Sequence, residues 1–209
     1  MRACAVLSGG SMPELLQKAA DAKQRGADFV EIHLNAVDDY TSLELIESFP
    51  LPVIISCGYT KNQETINALK KALKFRTEFV DIDLAFPKSF IEEIFFSARA
   101  NGIKTIVSYC PETVPMQKTL KRVVEDMSVL SKYIKIVLPG KNMRDQAYFD
   151  AVFAISEKTG AKLTLIGPFE PAPADKRNFI GYGKIESSSH NRHLPHIEDV
   201  KKSIVDSVR

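Results

Sequence analysis

Eight short runs rich in β-branched and aromatic residues, separated by longer amphipathic stretches, constrain this chain more than any other feature. In order they are Ala3 to Leu7, Phe29 to Leu34, Pro52 to Cys57, Phe79 to Leu84, Lys104 to Cys110, Tyr133 to Leu138, Leu163 to Ile166 and Asn178 to Tyr182. Between and after them apolar residues recur at spacings of three and four, the helical period. Those segments are Met12 to Arg25, Thr41 to Ser48, Asn62 to Phe75, Lys88 to Asn101, Met116 to Ser131, Arg144 to Thr159 and Ile197 to Val208. The interval after the seventh run holds the Pro-rich stretch Pro168 to Lys176 instead, where an eighth helix is expected to be short or absent. Ser11 before Met12-Pro13-Glu14 signals a helix start, and Gly26, Gly102 and Gly160 stop helices just ahead of the next strand.

Strand followed by helix, repeated with no linker or break in composition, predicts parallel strands joined by right-handed crossovers. The economical solution is an α/β fold closed as a (β/α)8 TIM barrel, a single domain over residues 1–209, close to that fold's lower size of about 200 residues. An open doubly wound sheet would bring a Gly-rich phosphate loop after its first strand, and Ser8-Gly9-Gly10-Ser11 is too short and too early for one. With 28 Lys+Arg against 26 Asp+Glu and no long basic cluster, the chain lacks the footprint of a nucleic-acid binder, so a small-molecule partner is expected. The apolar runs fall far short of a bilayer span and no secretory pattern opens the sequence, so no membrane partner and a cytoplasmic location are expected. Cys4, Cys57 and Cys110 are odd in number, widely spaced and each within or beside an apolar run, as expected of reduced thiols.

Strands of a parallel barrel are covered outside by helices and packed inside by side chains, so all-apolar runs are the norm. This sequence departs from the norm in one phase. In Phe29-Val30-Glu31-Ile32-His33-Leu34 the aliphatic even positions face the helices, and the strand period of two turns Glu31 and His33 into the barrel. The same reasoning turns Asp81 and Asp83 inward from Phe79 to Leu84, and Lys135 inward from Tyr133 to Leu138. Ser108 and Cys110 share one face of the fifth run, with nothing to fix whether that face is the inner one. Charge inside a barrel is costly unless neutralised or wetted, and barrel enzymes place their chemistry at the strands' C-terminal ends, so an active site there is the expectation. The structural alternative is a buried ion-pair network at the closed end. Lys135, among Ile134, Ile136 and Val137, is expected to be desolvated with a lowered pKa, freeing a neutral amine to attack a carbonyl and form a Schiff base.

These strands resemble those of the type I 3-dehydroquinate dehydratases along the whole chain. Val30 to Asn35 resembles that family's V-E-x-R-x-D strand, Val80-Asp81-Ile82-Asp83-Leu84 its V-D-x-E strand, and Ile106-Val107-Ser108-Tyr109-Cys110 its S-Y-H-D segment. Tyr133-Ile134-Lys135-Ile136 resembles the strand bearing the Schiff-base lysine, and Leu194-Pro195-His196-Ile197 is similar to the P-G-Q-I substrate loop. The resemblance implies dehydration of 3-dehydroquinate to 3-dehydroshikimate in the shikimate pathway of aromatic amino acid biosynthesis, by a homodimeric lyase with no metal or organic cofactor. Its substrate would be a small polyhydroxy keto acid. Lys135 and Glu31 carry over directly. Cys110 stands where the family keeps its catalytic histidine, His33 where it keeps an arginine, and His196 at or next to its loop glutamine. The family's arginine and glutamate after strand three find no counterpart in Cys57 to Glu64. Proton transfer is therefore expected from the imidazole of His33 more than from Cys110. The substrate carboxylate is expected on Arg177, with Lys176 and Arg192 as alternatives.

Two other functions compete. A class I Schiff-base aldolase would need a phosphate cradle after strands seven and eight, where Ile166-Gly167-Pro168-Phe169-Glu170-Pro171 carries proline and acid. A barrel that has lost catalysis and binds a ligand or partner fits the missing histidine but not the retained Lys135. His190, His193 and His196 lie three apart on an irregular stretch with no cysteine or acid at a ligand interval, so Ser187 to His196 is expected to form a polar flap over the mouth, with no zinc site.

Overall fold

The computed structural model describes residues 1–139, 146–167, 177–185 and 194–206. Its elements run β1 (Arg2–Leu7), α1 (Met12–Gln24), β2 (Phe29–His33), two 3-10 segments (Leu34–Ala36 and Leu43–Ser48), β3 (Val53–Cys57), α2 (Gln63–Ala72), β4 (Phe79–Asp83) and α3 (Lys88–Ala100). They continue with β5 (Lys104–Tyr109), α4 (Gln117–Leu130), β6 (Tyr133–Val137), α5 (Gln146–Thr159), β7 (Lys162–Ile166), β8 (Ile180–Lys184) and α6 (Ile197–Val205). All paired strands are parallel, in the order β7-β6-β5-β4-β3-β2-β1-β8, which is the (β/α)8 barrel expected. The Pro-rich stretch Pro168 to Lys176, where a helix is expected to be short or absent, lies outside the described residues.

Local chemistry sets these boundaries. The Ser11 amide donates to Glu14 at 2.7 Å in a capping box that opens α1, and Asn62 caps α2 by accepting from the Glu64 amide at 2.9 Å. Gly26 ends the first crossover at φ 90°, a conformation that other residues adopt only under strain. The stretch read as a helix over Thr41 to Ser48 is a 3-10 segment instead. Leu43 and Ile46 bury themselves at a spacing of three, which suits a three-residue turn, and Pro50 stops any extension.

The aliphatic phase of the strands (Val30, Ile32, Val80, Ile82, Ile134, Ile136) packs against helix residues such as Leu15, Leu69, Ile91 and Leu120 in the outer core. The other phase fills the barrel in layers of four drawn from alternate strands. At the closed end Phe29 and Tyr133 pack on Phe79, and Phe179 packs on Phe79 and Tyr133, edge-on or tilted with ring centroids 4.9 to 6.1 Å apart. Arg2, Lys104 and Lys162 lie over these rings from outside. The registers then stack Cys4, Ile54, Ile106 and Thr164 from odd strands, followed by Glu31, Asp81, Lys135 and Tyr182 from even ones.

Among the described residues no ladder joins β7 to β8. Asn178 stitches them, accepting from the Leu165 amide at 2.8 Å and donating to the Leu165 carbonyl at 3.2 Å, while Phe179 donates to the Leu163 carbonyl at 2.8 Å. Because Asn178 and Phe179 are used in this way, the eighth strand is Ile180–Lys184 rather than Asn178 to Tyr182. Its partner β1 carries the pairing as far as Val6 opposite Lys184. Among the described residues no helix is long and apolar enough to cross a membrane.

Asn178→Ala would strand both backbone groups of Leu165, at about 1–3 kcal/mol for each group left unsatisfied. Thermal unfolding should therefore fall by at least about 4 °C. An unchanged midpoint would show that the seam is held by other contacts.

Candidate active site

The third layer from the closed end carries the buried charges Glu31, Asp81 and Lys135. Lys135 Nζ lies 2.9 and 3.1 Å from the two oxygens of Glu31 and in direct contact with Asp81 Oδ2. All three side chains are at least 95% buried. Tyr182 completes the layer with its ring centroid 5.2 Å from Nζ and its buried hydroxyl beside the Glu31 carboxylate. Ser56 donates to Asp81 at 3.3 Å from β3. The charges pair, as the structural alternative required, but two packed layers separate them from the closed end, and the polar residues continue upward from them to the mouth.

Burial alone would lower the Lys135 pKa, as the sequence suggested. Asp81 and Glu31 outweigh burial, and the ammonium is held well above the ordinary lysine value. The expectation of a lowered pKa is thus overturned, because the two carboxylates arrive from strands that neighbours in sequence do not reveal. Burial works equally against the Glu31 carboxylate, yet Lys135 and His33 hold it well below its usual range. Asp81 moves the other way: burial, reinforced by Glu31, raises it.

Two residues further along β2 and nearer the mouth, His33 Nε2 sits 2.7 Å from Glu31 Oε1 with its side chain 37% exposed. Glu31 therefore links the buried amine to an imidazole that reaches solvent. Asp83, on the same phase as Asp81, accepts from the Ala85 amide at 2.9 Å and closes the turn after β4. Asn35 clasps Gly58 through two hydrogen bonds of 2.9 and 3.1 Å, tying together the rims of β2 and β3. Ser108 is buried beside Asp81, so the undecided face of β5 is the inner one. Cys110 is exposed at the end of β5, and its enclosed sulfur and the charge of Asp83 push the thiol up to about 12.

Arg177 is not in this site. It lies before β8, where its guanidinium bonds Asp150 on α5 at 2.8 Å and stacks 4.3 Å from the Phe153 ring centroid. Lys176, Arg192, His190 and His193 lie outside the described residues, as does most of the expected flap. His196 caps α6 and bridges Lys184 at the rim. Among the described residues no cluster of three metal-ligating side chains occurs. Reading the sequence missed Lys184 because the eighth strand was placed two residues early, and left Tyr182 at the end of that run without an inner face; the alternation Gly181-Tyr182-Gly183-Lys184 was the available signal.

Fold and site together define a (β/α)8-barrel enzyme with its charged groups gathered toward the C-terminal ends of the strands. Residues 3–166 match the type I 3-dehydroquinase family model, and the chain belongs to that family, a family of hydro-lyases. Its fold is shared by 3-dehydroquinate dehydratase from Geobacillus kaustophilus HTA426, at TM-score 0.79 and 12% identity over 98% of this chain and 90% of that one. The Aquifex aeolicus VF5 enzyme matches at TM-score 0.73 and 19% identity over 100% of both chains. The type I enzyme from Clostridium difficile matches at TM-score 0.78 and 10% identity over 99% of this chain and 91% of that one. Among curated proteins none matches the chain.

With its ammonium held by two carboxylates, Lys135 of the free protein should be carbamylated by cyanate at pH 8 at least about tenfold more slowly than exposed Lys88. Asp81→Asn removes one of those carboxylates and should speed the reaction. Peptide mapping reads both rates, and equal labelling of Lys135 and Lys88 would contradict the ion-paired state.

Proposed function

We propose that this chain dehydrates 3-dehydroquinate to 3-dehydroshikimate through a Schiff base on Lys135. One observation carries the reading: in a chain of this family, the buried Lys135 amine lies between Glu31 and Asp81, and Glu31 connects it to His33 at the mouth. The same reading makes the protein a single-domain, cytoplasmic homodimer of the shikimate pathway, acting on a polyhydroxy keto acid by chemistry that needs no metal or organic cofactor.

The amine must first lose a proton. Asp81 touches Nζ, and its raised carboxyl makes it a better acceptor than Glu31. The neutral amine then attacks the ketone carbon, and the carbonyl oxygen leaves as water after protonation, giving an iminium. That cation lies between the carboxylates that previously faced the ammonium, an electrostatic arrangement prepared before the chemistry begins. The iminium acidifies the neighbouring C–H, and His33 takes that proton while the electron pair moves toward nitrogen. The pair returns to expel the hydroxyl on the next carbon, which leaves as water with the proton from His33. Water finally hydrolyses the conjugated iminium, frees the enone and restores Lys135. Glu31 orients His33 throughout, whereas the Cys110 thiol, at about 12, exchanges protons poorly near neutrality.

Borohydride reduction in the presence of 3-dehydroquinate should trap an adduct on Lys135 alone, and enone absorbance should follow turnover. Lys135→Met should lower kcat by roughly 10^3-fold or more, as loss of a covalent nucleophile does. Full turnover by that variant, or an adduct on another lysine, ends the Schiff-base reading.

His33→Ala should lower kcat by about 100-fold, within the usual range for a general acid-base group. Cys110→Ala should leave kcat close to wild type. The reverse pattern would assign proton transfer to the cysteine.

A further inference from the structure

Tyr182 is the uncharged member of the charged layer, and its strand is held in phase from outside. On the outer face a Cβ added to Gly183 would stand 2.8 Å from the Ile197 Cα, so α6 rests directly on β8. Tyr182 is thereby kept on the inner face, at 6% exposure. Counting around the ring, β8 lies between β6 and β2 and opposite β4. Tyr182 has Lys135 on one side, with Nζ 5.2 Å from its ring centroid, and Glu31 on the other, with its hydroxyl beside that carboxylate. Burial, then Glu31, pushes the phenol well above its usual value, so the hydroxyl keeps its proton and has Glu31 as the acceptor beside it.

The reaction changes what Glu31 faces. In the free protein it is paired with the Lys135 ammonium at 2.9 and 3.1 Å. Once the amine passes its proton to Asp81, Glu31 is left as the single charge of the layer, at 1% exposure. A carboxylate buried without a counterion is costly unless hydrogen bonds hold its charge. Two neighbours can donate to it at that moment, His33 at 2.7 Å and the Tyr182 hydroxyl. The other groups that face it are Asp81 from β4, itself a carboxyl, and from β1 the Cys4 thiol, a weak donor that burial pushes well above its usual value. With one donor fewer, Glu31 would compete with Asp81 for the proton of the amine. A neutral Glu31 would neither face the iminium with charge nor hold His33 as firmly.

We propose that Tyr182 is a positioning residue whose hydroxyl donates to Glu31 and keeps that carboxylate ionised while the proton of the amine passes to Asp81. The proposal rests on the Schiff-base reading for the route of the proton. It gives the two carboxyls separate tasks: Asp81 exchanges the proton, and Glu31 stays charged between His33 and the iminium. The phenol makes that division because it reaches Glu31 from β8, the wall opposite Asp81.

Tyr182→Phe tests this, since phenylalanine keeps the ring near Nζ and removes only the donor. It should lower kcat by about 10-fold or more, within the range for a hydrogen bond to a charged group, with KM within about twofold of wild type. Removing a donor from Glu31 raises its carboxyl, so the protonated form persists to higher pH. The acid limb of the kcat profile should therefore move up by about one pH unit, the equivalent of that tenfold change. A packing role alone would lower kcat alike at every pH. Should Tyr182→Phe fail to fold, 3,5-difluorotyrosine placed at position 182, a stronger donor of nearly the same shape, should move the acid limb the other way. A measurement on the free protein separates the two readings. The infrared carboxylate stretch of Glu31, assigned by its loss in Glu31→Gln, should shift in Tyr182→Phe whether or not an imine forms. A shifted stretch in a protein that gives no borohydride adduct on Lys135 would support the Tyr182 assignment and end the Schiff-base reading. A wild-type kcat, an unmoved acid limb or an unshifted Glu31 stretch in Tyr182→Phe overturns the proposal.

Discussion

One ammonium and two carboxylates share the dry interior of this barrel, and the rest of the design follows from keeping them there. Removing each ion from water costs several kcal/mol, which mutual attraction offsets only when the geometry is close. The barrel supplies that geometry by construction, since residues of one phase on alternate strands reach the same height. Glu31, Asp81 and Lys135 come from β2, β4 and β6, and no loop has to position them. The consequence for chemistry cuts the other way: the attraction that makes the layer tolerable also keeps the Lys135 amine protonated.

Polarity is graded along the axis. Aromatic rings plug one end, with cations lying over them from outside, and a layer of Cys4, Ile54, Ile106 and Thr164 separates that plug from the ions. Above the ions, Ser56, Ser108, His33 and Lys184 lead outward. Water can therefore reach the charged layer from one side only, and the imidazole of His33 stands on that side.

Much of this was legible in the sequence, because a period of two is sensitive to single residues. Glu31, His33, Asp81 and Lys135 each interrupt an aliphatic strand in the same phase, and each lies inside. The protonation state of Lys135 was not legible. Its flanking residues Ile134 and Ile136 speak only of desolvation, whereas the opposing charges come from residues 104 and 54 positions earlier. Arg177 was misplaced for a related reason: basic character near a strand says nothing about which end of the strand it lies beside, and Asp150 claims it from another element. The eighth strand slipped by two residues because Asn178 and Phe179 look like strand but act as stitches, and that slip hid Lys184. The second crossover reads as a helix because a spacing of three fits both an α-helix and a 3-10 segment.

The seam between β7 and β8 has a consequence for solubility. A closed barrel is the one sheet architecture with no unpaired margin, and here the last eighth of the circle is completed by a side-chain amide and single backbone bonds where a ladder would otherwise run. When Asn178 lets go, the circle becomes a ribbon with two exposed edges, β7 and β8, each presenting free N–H and C=O groups to any other chain nearby. Strand-to-strand association between molecules, starting at that margin, is then open to the protein before its buried ions have met bulk water.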